Sequence, residues 1–245
     1  MILPLLNIWR VLSLYVRQQR NYIHVVLLNS LILPGVIAYL GSRMVNSREG
    51  LIQWLSASIA LALGIGPMTQ VGYCAMIDRF ANRLPLLRNS PVPKYAYVEA
   101  MILLALVQCV VVIVLACGLF AVLGVGRLTT AGVMAGVLAA VGAGFSLGGF
   151  SVALAFRARD MDTGKALISM ASYGLVLLSP VFYSLNELPR LARPLAFLIP
   201  FTFIEPMTRA AIEGQSAPVW TIEGCLVLAI ALNIISYRCV PWCEE

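Results

Sequence analysis

Six long apolar runs make up most of this chain, each separated from the next by a shorter stretch containing arginine, lysine or proline. They span approximately Tyr22 to Gly41, Leu51 to Met76, Tyr97 to Leu123, Ala131 to Phe156, Ala166 to Tyr183 and Val219 to Tyr237. A helix needs about 20 apolar residues to cross a hydrocarbon core. The pattern therefore predicts an all-α membrane protein with six transmembrane helices. Before the first run, Leu5, Trp9, Leu12 and Val16 recur at helical spacing, with Asn7, Arg10 and Arg17 on the opposite face. That arrangement predicts an amphipathic helix over residues 1–21 lying in the membrane interface. Residues 22–245 then form a single six-span domain, and what lies between the runs is too short for a separate soluble domain. Met1 to Arg20 has no continuous apolar core and no small-residue cleavage site, so no cleaved leader is expected.

Two of the connecting segments are more than simple returns. Residues 78–95 hold Arg79, Arg83, Arg88 and Lys94, with Leu84, Leu86 and Leu87 ahead of Ser90-Pro91-Val92-Pro93. The spacing predicts a short, partly apolar helix closed by prolines, a shape that fits a groove on another protein. Residues 184–217 are too apolar for an ordinary solvent loop, with Leu188, Leu191, Leu195, Phe197, Leu198, Phe201 and Phe203 set among prolines. They complete an ordered series: charged Phe156-Arg157-Ala158-Arg159-Asp160, an apolar span ending Ser179-Pro180-Val181-Phe182-Tyr183, and an amphipathic segment leading to Glu205 and Arg209.

Composition agrees with the pattern, since 60% hydrophobic residues, 11% charged residues and a mean hydropathy of +0.90 lie far outside soluble averages. Charge adds orientation. Arg10, Arg17, Arg20, Arg79, Arg83, Arg88, Lys94, Arg157, Arg159, Lys165 and Arg238 fall on one side of the predicted spans, eleven of the 17 basic residues. Arg43, Arg48, Arg127, Arg190, Arg193 and Arg209 fall on the other. Basic loops resist translocation, so both termini are expected in the cytoplasm. The net charge of +6 then reflects topology and anionic-lipid contact. No basic face with interleaved aromatics suits nucleic acid. Of six cysteines, Cys74, Cys109, Cys117 and Cys225 fall in or near spans, where the thiol behaves as a small apolar group. Cys239 and Cys243 form a lone C-x3-C pair, too little for a zinc site, and no metal or other bound cofactor is expected.

Three chemistries bear on these residues. Gly144-Phe145-Ser146-Leu147-Gly148 matches G-x-S-x-G and raises an intramembrane serine hydrolase, but it lies inside an apolar span rather than at a strand-turn-helix, and the single histidine is His24. Small residues at Gly132, Gly136, Gly144 and Gly148 suit close helix packing instead. Ion coupling would call for charged groups at mid-membrane depth, whereas the polar members of the span interiors are Asn29, Gln70, Gln108 and Asn233. Neither lysine stands in a P-loop, so the chain does not hydrolyse ATP by itself.

Taken together, the spans, the Leu87-Arg88-Asn89-Ser90-Pro91-Val92-Pro93-Lys94 loop, the Phe-Arg-x-Arg-Asp stretch, Ser179-Pro180-Val181-Phe182-Tyr183 and Leu188-Pro189 resemble a type 2 ABC exporter permease. Within that class, the Phe-Arg-x-Arg-Asp stretch, Ser179-Pro180-Val181-Phe182-Tyr183 and Leu188-Pro189 are similar to permeases that export capsule, O-antigen or teichoic-acid chains. That resemblance implies a bacterial inner-membrane permease working as a homodimer with two copies of a separate ABC ATPase, which would carry the ATP and Mg. A periplasmic adaptor is compatible with it. The cargo it implies is a glycan or lipid-linked polysaccharide, with drug-like or natural-product amphiphiles as the alternative. Coupling to the ATPase would fall to Arg10 and Arg17 of the first helix, Arg79, Arg83, Leu87, Arg88 and Lys94 of the loop, and Arg157, Arg159 and Asp160 of the hinge. Segment 184–217 would form re-entrant outer helices. The substrate path or gate would hold Tyr73, Ser179, Pro180, Phe182, Tyr183, Phe201, Glu205 and Arg209, with Tyr22 and Trp54 as further aromatic candidates.

Overall fold

The computed structural model describes residues 2–19, 32, 35–36, 39–41, 43–45, 47–90, 92–122, 129–181, 189 and 193–242. The elements with defined bounds are all helices: α1 (Ile2–Gln19), α2 (Arg48–Phe80), α3 (Arg83–Arg88), α4 (Lys94–Val122), α5 (Thr130–Arg157), α6 (Met161–Leu178), α7 (Arg193–Ala196), α8 (Phe201–Glu213) and α9 (Val219–Cys239). Their starts follow local chemistry. The hydroxyls of Ser47 and Thr129 accept from the Gly50 and Gly132 amides, and the Asp160 carboxylate accepts from the Thr163 amide, each satisfying a donor that the helix itself cannot. At the end of α8, Gly214 adopts φ 73° and closes the helix as a left-handed cap.

Among the described residues, four helices are long and apolar enough to cross a membrane: α2, α4, α5 and α9. They correspond to the second, third, fourth and sixth predicted runs. Most of the first run, including Tyr22 and His24, lies outside the described residues. The fifth appears as α6, displaced toward the N-terminus: it begins at Met161, carries Asp162 and Lys165 in its first turns, and ends at Leu178 rather than Tyr183. Pro180 offers no N–H to extend it. The Ser179 hydroxyl instead turns back to the Val176 carbonyl at 2.7 Å.

Helix α5 is the hub, packing against α2, α4, α8 and α9. Its glycines make this possible: a side chain at Gly144 would meet the Leu106 backbone at 2.6 Å, and one at Gly148 would meet Ala105 at 2.8 Å. Pro67 interrupts the hydrogen-bond ladder of α2 and frees the Leu63 carbonyl one turn earlier. The Cys109 thiol of α4 donates to that carbonyl, with Sγ 3.6 Å away.

Helix α1 packs on α4 through Val11, Leu12 and Tyr15, while Trp9 and Val16 remain exposed. The buried face therefore lies to one side of the apolar stripe expected at Leu5, Trp9, Leu12 and Val16, sharing Leu12 with it. A helix between protein and lipid has two apolar flanks, and amphipathicity read from sequence points between them.

Candidate functional site

At one end of the bundle α1, the ends of α2 and α5, the start of α4 and the segment after α9 come together. Three helices are joined there through one carboxylate. Asp78, in the last turn of α2, accepts from the Tyr15 hydroxyl of α1 at 2.5 Å and from the Tyr97 hydroxyl of α4 at 3.2 Å, both on Oδ2. All three side chains are buried. Burial and the adjoining Asp78 charge push the Tyr15 hydroxyl well above its ordinary pKa, so it remains a donor. The Tyr97 ring also meets Phe156 edge-on at 6.3 Å and Trp242, beyond α9, at 5.7 Å. Five segments of the chain thus share this cluster.

Arg79 ties the ends of α2 and α5 together. Its Nη1 donates to the carbonyls of Ala155, Phe156 and Ala158 at 3.2, 2.8 and 2.6 Å, and its guanidinium lies 4.9 Å over the Phe80 ring. These carbonyls belong to the terminus of α5, where a cation is favoured both by unpaired acceptors and by the helix dipole. Arg79→Ala is expected to lower stability by about 2 kcal/mol, the scale of hydrogen bonds to a charged group. Thermal unfolding in detergent checks this, and Arg79→Gln, which keeps two amide donors, should fall between the two.

Most of the other described basic side chains of this end are exposed. Arg10, Arg17, Arg157 and Arg159 are exposed, and Arg83 reaches Gln18 of α1 at 3.5 Å. Lys94 lies 4.5 Å over the Tyr237 ring. Asp160, also exposed, accepts from the Thr163 amide and hydroxyl, each at 2.8 Å, which holds its carboxyl below the ordinary value. The short helix α3 is anchored by Leu84, which is 5% exposed, and presents Leu86, which is 72% exposed. Leu87 is half-buried, and the side chain of Arg88 lies outside the described residues.

Toward the opposite end, α8 is wedged among α2, α5 and α9. Phe201, at its start, is fully buried against Gly64, near the middle of the 33-residue α2. Gly214, at its end, accepts from the Thr129 hydroxyl at the start of α5, at 2.7 Å. Its 13 residues rise about 20 Å, so α8 begins near the mid-depth of the bundle and climbs to its end. Helix α6 reaches the same depth from the basic end: Ile168 packs where a Gly72 side chain would be, and ten further residues add about 15 Å. Glu205 accepts from the Ser56 hydroxyl at 2.8 Å, and Arg209 pairs with Glu213 at 3.0 Å. Val181, Ile199 and Phe201 share one apolar cluster with α2, and Ser179 is buried beside them. Pro180 is half-buried, while Phe182 and Tyr183 lie outside the described residues.

Between the two ends, the Tyr73 hydroxyl of α2 stands 3.5 Å from the Ser169 hydroxyl of α6, both half-buried. Ser146 is fully buried and its hydroxyl donates to the Gly142 carbonyl of its own helix at 2.6 Å. Asn233 donates to the Phe145 carbonyl at 3.2 Å, the interhelical role its position suggested. Sequence reasoning missed the Tyr15, Asp78 and Tyr97 cluster. The one available signal was an acidic residue opening an otherwise basic loop.

The sequence model of one family, described as ABC-2 type transporter, matches residues 5–212. No curated protein matches the chain.

Proposed function

We propose, from the premise that this chain belongs to the ABC-2 type transporter family, a specific exporter around it. The family supplies the membrane permease of ABC exporters, works with an ABC ATPase and is a transport component rather than a catalytic enzyme. The chain is accordingly a multi-pass membrane protein. Beyond that, two copies of the chain pair with two ATPase subunits, which hold ATP and Mg. The complex sits in a bacterial cytoplasmic membrane with the basic end and both termini inside. The cargo is an amphiphilic glycan or lipid-linked polysaccharide.

The observation that carries the reading is α3. A six-residue helix held to the bundle by Leu84 while presenting Leu86 to the outside is a lever with one end already attached. Its neighbours transmit force inward, since Asp78 ties α2 to α1 and α4, and Arg79 ties α2 to α5. A push on α3 therefore moves the helices that bound the outer wedge. In this reading α1, at residues 1–21, lies on the inner surface, residues 78–95 are the coupling loop, and six spans are completed by the run before α2 and by α6. Segment 184–217 is re-entrant, which the mid-depth start of α8 supports. For the cargo, Tyr73 and Tyr173 flank Ser169 along the seam of α2 and α6, offering ring faces for sugars and hydroxyls for hydrogen bonding.

Leu86→Glu is expected to abolish co-purification of the cognate ATPase and ATP-dependent export while leaving the melting temperature unchanged. Survival of both would remove α3 from the coupling role, and Arg88→Glu tests the same loop through charge. Ser146→Ala should leave export nearly intact, because that hydroxyl is committed to its own helix. Loss of activity with normal assembly would instead favour an intramembrane hydrolase.

A further inference from the structure

A groove of about 700 Å3 runs along the flank of the bundle between α5 and α9, bounded by Met207 of α8 at one end and Glu99 of α4 at the other. Its floor is the close contact of α5 with α9, where a side chain at Gly142 would meet the Cys225 sulfur at 2.4 Å and Ala229 is buried. From Ile222 to Arg238, α9 rises about 24 Å, most of the roughly 30 Å hydrocarbon thickness. The lining is apolar over most of that length, and Ile230 and Ile234 are about half exposed.

Polarity is confined to one end. The Asn233 amide nitrogen donates to the Phe145 and Ala229 carbonyls, at 3.2 and 2.7 Å, while its oxygen is buried among the described residues without a partner. Beyond it stand Tyr237, Arg238 and Glu99, and Lys94 joins them over the Tyr237 ring at 4.5 Å. Among the described residues, two cations against one carboxylate leave a net positive mouth. An apolar slot with a single cationic end complements a single-headed anionic amphiphile. A second copy of the chain fits poorly, because a two-fold axis along the membrane normal would set this cationic mouth against its own copy at the same height.

We propose that the groove holds an acyl chain of an anionic glycerophospholipid, with the phosphate at Arg238 and Lys94. The site depends on the chain crossing a membrane, and not on its being an exporter. A lipid there braces α9, the least buried of the four spans, against α5.

The test is native mass spectrometry of the full chain in neutral detergent, offered equal amounts of phosphatidylglycerol and phosphatidylcholine. One net positive charge predicts about fivefold enrichment of the phosphatidylglycerol adduct. Arg238→Gln neutralises the mouth and should abolish the enrichment. Ile230→Trp fills the slot from an exposed position and should reduce adducts of both lipids. Arg48→Gln, at the far end of the bundle, should change neither. Equal binding of the two lipids by the unaltered chain, enrichment surviving Arg238→Gln, or undiminished adducts in Ile230→Trp would each overturn the proposal. So would efficient disulfide cross-linking of two copies through Ile230→Cys, which would make the groove a protein interface.

Discussion

Asp78→Ala should be among the most damaging single substitutions in this protein, although the Asp78 side chain is itself buried. Its carboxylate is the shared acceptor for the Tyr15 and Tyr97 hydroxyls, and both tyrosines are buried. Removing it leaves two buried donors unsatisfied, at about 1–3 kcal/mol each. The expected result is a loss of about 3 kcal/mol, read as a lower melting temperature in detergent, together with faster proteolysis near the end of α1. Export should fall further than stability alone dictates, because α1 carries the exposed Arg10 and Arg17 and would lose its fixed position. Two controls separate the hydrogen bonds from the carboxylate itself. Asp78→Asn keeps an acceptor and should cost less. The triple change Asp78→Leu, Tyr15→Phe and Tyr97→Phe removes the donors along with the acceptor and should recover much of the stability. If Asp78→Ala melts like the unaltered chain, the three helices are held by their apolar contacts and the cluster is incidental.

That cluster also marks where the sequence stops being informative. Apolar length is a one-dimensional property, so the runs that became α2, α4, α5 and α9 could be read directly, as could the close-packing role of Gly144 and Gly148. Tyr15 and Asp78 are 63 positions apart, and nothing local announces their contact. Arg79 reads as one more basic loop residue facing a partner, yet its guanidinium is turned inward, because the end of α5 leaves carbonyls to be satisfied. The end of α6 misleads in the opposite way. Its apolar run continues through Val181 and Phe182, but the Ser179-Pro180 pair stops the helix near mid-depth, and apolar content alone carries no record of that. Helix α8 belongs to the segment that the sequence marks as too apolar for a solvent loop, but the partners it is buried among, α2, α5 and α9, are not written in that segment.

The seat of that wedge supplies the second large effect. A methyl group at Gly64 would stand 1.9 Å from the Phe201 ring, far inside van der Waals contact, in a position where the ring is fully buried. Gly64→Ala is therefore expected to push the start of α8 away from α2, costing roughly 1–3 kcal/mol by overpacking. Phe201→Ala removes the ring and leaves a cavity, with a cost nearer 3–5 kcal/mol on the scale of large-to-small changes in cores. If the ring seats on this glycine, the two defects are complementary: the added methyl enters part of the space the ring vacates. The double variant should then be more stable than the sum of the singles by about 1–2 kcal/mol, the scale of coupling between residues in contact. Function should follow the same logic. Val176 of α6 and Phe201 of α8 share one apolar cluster, so withdrawing Phe201 loosens the packing where α6 stops, and proteoliposomes bearing Phe201→Ala should leak a small entrapped anion without ATP. Gly64→Ala should leak less, since it displaces the wedge without deleting it. Strict additivity of the two substitutions, or a Phe201→Ala protein as tight as the unaltered one, would mean that α8 is packing material and that the barrier lies elsewhere.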